Sequence, residues 1–101
     1  MVEKRYEVIW NIAARKQVKK IYDHIFKDSV QNAEKVFNEI IESSRKLEIN
    51  PERFGLDKYK KNNNGSYRYY ELHKYRIAFR IYKKHIRILR VRSVHQEPKD
   101  Y

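Results

Sequence analysis

Between Glu71 and His95 the chain carries Arg76, Arg80, Arg87, Arg90 and Arg92, with Tyr67 and Tyr69 just before them. Such a set suits metal-free cleavage of RNA. That reaction needs a base for the 2′-OH, an acid for the leaving 5′-oxygen, and cations around the phosphorane. Glu71 or His95 can serve as acid or base, and Arg76, Arg80, Arg90 and Arg92 as cations. Each also has a plainer role. Glu71 can form a cross-strand ion pair with Arg76, His95 can be an exposed residue, and the arginines can line a solvated sheet face.

Other chemistries find no support. There is no Gly-rich phosphate loop, no GxSxG, no HExxH and no DxDxDG. The histidines (His24, His73, His85 and His95) lack ligand spacing, and there is no cysteine. Neither a metal nor a cofactor is expected.

The elements that must position these residues follow from the apolar pattern. Tyr67–Leu72, Tyr75–Tyr82 and His85 onward are rich in Ile, Val, Tyr and Phe, and the dipeptides His73-Lys74 and Lys83-Lys84 separate them. This predicts three antiparallel strands joined by tight hairpins, although neither dipeptide carries the Gly or Asn such turns favour. Two-residue loops would set Leu72 opposite Tyr75, Glu71 opposite Arg76, Ile81 opposite Ile86 and Phe79 opposite Ile88. Ile88 and Leu89 break the alternation. A β-bulge there keeps Arg90 and Arg92 out of the core. One face then collects Tyr70, Leu72, Ile77, Phe79, Ile81, Ile86 and Ile88. The other collects Tyr67, Tyr69, Glu71, Ala78 and all five arginines.

Upstream, Tyr6, Val8 and Trp10 alternate with Glu7 and Ile9, a short strand that must join the same sheet. Asn11 is placed to cap a helix over Ile12–Lys27 with an apolar stripe of Ala14, Val18, Ile21, Tyr22 and Ile25. Asp28 or Ser29 caps a second helix reaching about Ile49, with Ala33, Val36, Phe37, Ile40, Ile41, Ser44 and Leu47 on one side. So short a connection predicts an antiparallel pair packed on the sheet. Pro51 to Ser66 reads as a long polar loop, either solvated or reaching a phosphate backbone through Lys58, Lys60 and Lys61.

A 101-residue chain with this pattern makes a single domain over 1–101. Its formal charge of +11 points to a polyanionic partner. Arginine and tyrosine planes on one face suit nucleic acid: Tyr67, Tyr69, Arg80, Arg87, Arg90 and Arg92 are the candidate contacts. No apolar run reaches membrane-spanning length and no signal-type leader opens the chain, so a cytoplasmic protein with no membrane partner is expected.

The order strand, two helices, long loop and three-stranded meander resembles the RelE/ParE toxin superfamily of bacterial type II toxin–antitoxin systems. The matching pieces are Tyr6-x-Val8-x-Trp10 leading to Ala14, Asp28-Ser29 with Ala33, Asn50-Pro51, and Tyr67-Arg68. Tyr75-Arg76-Ile77-Ala78-Phe79 and Ile86-x-Ile88-Leu89-Arg90-Val91 through Val94-His95 follow. The resemblance implies an α+β fold, β-α-α-β-β-β, with two antiparallel helices on one face of a mainly antiparallel sheet. For RelE-like members it implies a ribosome-dependent mRNA endonuclease. Arg76 then matches the arginine at the scissile phosphate, His95 the group past the last strand, and Tyr101 a C-terminal tyrosine active in some members. ParE-like members poison DNA gyrase instead. Either way a cognate antitoxin, acidic and partly disordered when free, is implied. A non-toxic basic RNA-binding protein is the remaining alternative.

Overall fold

His73 and Lys74 both adopt left-handed backbone, φ 53° and 64°. Two positive φ values in succession match the right-handed twist of flanking strands. They turn β3 (Tyr67–Leu72) back into β4 (Tyr75–Ile81). The pairing runs from Leu72 opposite Tyr75 to Tyr67 opposite Arg80, the register expected from a two-residue loop. The second hairpin closes with Tyr82 N–H donating to the His85 carbonyl at 2.8 Å and leads into β5 (His85–Ser93). The structure, a computed structural model, describes residues 4–95.

Between β4 and β5 the register shifts at one place. Phe79 faces Ile88, Ala78 faces Arg90, and Leu89 is the extra residue. The bulge works as the charge argument requires: Ile77, Phe79, Ile88 and Val91 are buried together, while Arg90 and Arg92 stay on the open face.

β1 (Glu7–Trp10) joins β5 in parallel, from Glu7 beside His85 to Trp10 beside Ile88. The long polar loop of the sequence reading is not featureless. Pro51–Arg53 forms a 3₁₀ turn and β2 (Gly55–Leu56) pairs with β3. The sheet therefore has five strands in the order β1-β5-β4-β3-β2. A two-residue edge strand has too little alternation to be visible as a pattern. It is held by Arg68, whose Nη1 donates to the Glu52 and Phe54 carbonyls at 2.8 Å each.

The helices cover one sheet face. α1 (Ile12–Phe26) buries Ala14 and Val18, and α2 (Val30–Arg45) buries Ala33, Ile40 and Ser44. Tyr22 meets Phe37 edge-on at 5.9 Å, on either side of the intervening turn, as an antiparallel pair requires. Ser29 is the cap of α2, its Oγ accepting the Asn32 N–H at 3.1 Å. Asn11 stands at the N-cap of α1 but does not cap with its side chain. Its Oδ1 accepts from Arg87 Nη1 at 3.0 Å. α2 also stops short of Ile49, and Lys46–Glu48 continues as a 3₁₀ turn. The Ser43 and Ser44 hydroxyls donate back to the Ile40 and Ile41 carbonyls at 2.6 Å, competing with the helical ladder there. Ile40 and Leu47 then join Tyr6, Ala14, Val18, Ile77, Phe79, Ile86, Ile88 and Val91 in one core.

Candidate functional site on the open sheet face

The register fixes which side chains share the uncovered face. Glu71, Arg76 and Arg92 form one row across β3, β4 and β5, Tyr69, Ala78 and Arg90 the next, and Tyr67, Arg80 and Arg87 a third. Like charges side by side, Arg76 with Arg92 and Arg80 with Arg87, repel, and a carboxylate within reach offers compensation.

Arg76 obtains it from a residue the sequence reading did not single out. Its Nη2 donates to Asp57 Oδ1 at 2.5 Å, with the Asp57 side chain fully buried and that of Arg76 only 12% exposed. The guanidinium also packs over Tyr69 at 3.8 Å and Tyr59 at 4.5 Å from the ring centroids. Glu71 is not its ion partner: among the described residues the carboxylate on Arg76 is Asp57, and Glu71 is exposed. The β2–β3 loop brings Asp57 onto Arg76 and out of water, where the attraction is strong, whereas Glu71 stays exposed and screened.

That loop is built to hold Asp57. Its Oδ1 also accepts the Tyr59 N–H at 3.1 Å, and its own N–H donates to the Tyr67 carbonyl at 2.9 Å. Asn63 clasps the other side. Its Nδ2 donates to the Tyr67 carbonyl at 2.8 Å, and its Oδ1 accepts the Gly65 N–H at 2.9 Å. Gly65, at φ 97°, occupies backbone that a side chain would strain. The run Asn62-Asn63-Asn64 is thus a hydrogen-bonded clasp. Of the loop lysines, Lys58 and Lys61 are exposed, and Lys60 lays its Nζ 4.8 Å from the Tyr67 ring centroid.

Arg80 is held differently. It lies between Tyr67 and Tyr82, 4.8 and 4.7 Å from the centroids. Tyr82 in turn stacks on His85 at 4.4 Å and 9°. Among the described residues Arg80 has no carboxylate within ion-pair distance, and its buried Nε has no hydrogen-bond partner, a condition Arg76 Nε shares. Aromatic faces attract and orient a guanidinium without cancelling its charge.

His95 lies in the turn beyond β5, exposed, its N–H donating to Ser93 Oγ at 3.2 Å. Ser93 faces Tyr75, so His95 leaves the sheet at the end nearest the Arg76 row. Tyr101 lies outside the described residues. One signal in the sequence does mark Asp57: it is the lone carboxylate between Glu52 and Glu71, in a stretch dense with Lys and Arg.

At a distance from this face, Tyr70 turns toward α2, and its hydroxyl shares a 2.8 Å hydrogen bond with Ser43 Oγ. Burial pushes its phenol pKa up, and the Ser43 bond opposes that in part. Among the described residues no cluster of His, Asp or Glu could hold a metal ion, and no helix is long and apolar enough to cross a membrane.

Solved structures share this architecture. The chromosomal ParDE toxin–antitoxin system of P. aeruginosa superposes with a TM-score of 0.71 at 22% identity, over 88% of this chain and 96% of that one. The toxin–antitoxin complex RelBE2 of Mycobacterium tuberculosis gives 0.61 at 21% identity, over 89% and 92%. At such identities the likeness is one of fold. No curated protein matches the sequence significantly. Residues 8–98, most of the chain, match the family described as the ParE toxin of type II toxin–antitoxin system, parDE. The match takes in far more than half of the chain, and the chain belongs to the ParE toxin family of type II toxin–antitoxin systems.

Proposed function

We propose that this toxin arrests its host by binding DNA gyrase and not by cutting mRNA. The observation that carries this reading is the Asp57–Arg76 pair. The arginine that would stabilise a phosphorane already has a carboxylate at 2.5 Å and two aromatic rings against it. A substrate phosphate would have to displace Asp57 and leave it buried beside a second anion, which is costly. Membership of the ParE family favours the same target. The toxin would act in the cytoplasm, where gyrase and DNA are found.

A cognate antitoxin completes the proposal. A +11 chain suits an acidic partner, one that folds on the toxin as it binds. Co-expression with the small gene beside it should restore growth.

Induced expression in bacteria tests the reading. The expected result is a DNA-damage response with intact mRNA, and purified toxin should block supercoiling by gyrase. His95→Ala should keep full toxicity, because this reading asks no proton transfer of the imidazole. Primer extension that finds cut mRNA on ribosomes, abolished by His95→Ala, would return the site to the nuclease set of Arg76, His95, Tyr101 and Glu71.

A further inference from the structure

The two clamped arginines of the open face differ in one respect. Arg76 is paired with Asp57, whereas Arg80 has ring faces and no carboxylate partner among the described residues. Arg87 stands directly beside Arg80, donates to the neutral Asn11 side chain and, among the described residues, also has no carboxylate within ion-pair distance. Two cations in one row, each held in place and without a carboxylate partner among the described residues, form a site for anionic oxygens.

The rings identify the kind of anion. Tyr67 has Lys60 and Arg80 against it, and Tyr82 has Arg80 and His85. Their faces already hold guanidinium, ammonium or imidazole, so they are not free platforms for unpaired bases. Single-stranded binding draws much of its affinity from such platforms. What the face still offers is fixed positive charge, which reads phosphate and not base. We infer that the Arg80–Arg87 row is a contact for the phosphate backbone of duplex DNA. The inference deepens the gyrase reading, since the DNA that gyrase holds is a duplex. The toxin would then grip enzyme and DNA together.

Binding of the purified chain to a labelled mixed-sequence DNA duplex, followed by fluorescence anisotropy across salt concentrations, tests this without gyrase. A failure here therefore leaves the gyrase reading standing, and a failure of gyrase inhibition leaves this result standing. Each lost phosphate contact lowers the log–log salt slope by about 0.9, so Arg80→Gln/Arg87→Gln should flatten it by about 2 and weaken binding roughly tenfold or more. Lys16→Gln/Lys27→Gln removes the same charge from exposed positions on and just after α1 and should change neither quantity much. If Arg80→Gln unfolds the chain, Arg87→Gln alone is read in its place, against Lys16→Gln alone, and should flatten the slope by about 0.9. Equal losses in the row variant and the charge-matched control overturn the proposal. So does tighter binding to single-stranded DNA or RNA of the same sequence, or equal affinity for an oligoglutamate of matched charge.

Discussion

Asp57 and Arg76, far apart in sequence, form an ion pair of 2.5 Å at the edge of the open sheet face, and the Asp57 side chain has no solvent exposure. A buried carboxylate in that position depends on its guanidinium. Asp57→Ala should leave Arg76 with an uncompensated charge and cost about 3–5 kcal/mol. The double variant Asp57→Ala/Arg76→Met should recover much of that. Denaturant unfolding of the single and double variants measures both. A loss below about 1 kcal/mol for Asp57→Ala would mean that the pair contributes no more than an exposed one.

β1 covers only the first part of β5, and beyond Ile88 the β5 edge needs another partner. Gln17 supplies it from α1, its Oε1 accepting the Val91 N–H at 2.6 Å. Gln17→Ala strands that donor and should destabilise the fold by about 1–3 kcal/mol. Amide exchange at Val91 should accelerate more than at Ile77 in β4. Unchanged protection at Val91 would show that solvent or another group takes over the bond.

Lys74 sits in left-handed backbone without the excuse of being glycine. A non-glycine residue in that region costs about 1–2 kcal/mol. Lys74→Gly should therefore stabilise the hairpin by about 1 kcal/mol, after the entropy glycine adds to the unfolded chain. His73 has the same backbone but pairs through Nε2 with Glu39 of α2, so His73→Gly should gain less or lose. Thermal unfolding of the two variants decides the order.

Tyr70 links stability to alkaline pH. Its phenol pKa is raised above 10.0 by burial. The unfolded chain thus releases this proton at lower pH than the folded one. The contribution to stability is whole below pH 10.0 and is lost as pH rises through the folded value. Tyr70→Phe should remove this part of the alkaline decline, and losing the bond to Ser43 should cost about 1 kcal/mol at neutral pH. A decline that is the same in both proteins would assign it to other groups.

The sequence by itself determined the two helices, the four longer strands and their faces. Alternation of apolar and polar residues from Tyr67 to Ser93 contains the register, the bulge at Leu89 and the identity of every open-face arginine, because side-chain period and charge burial act locally. The helical stripes are legible for the same reason. Tertiary structure alone decided what those arginines can do. Which carboxylate reaches Arg76 depends on how a loop folds across β3, and neither Asp57 nor the ring pairs around Arg76 and Arg80 leave a periodic trace. Glu71 is the partner that strand pairing suggests, and Asp57 is the partner that desolvation selects. A cation is spent or available according to that choice, which is made by burial in three dimensions and not by spacing along the chain.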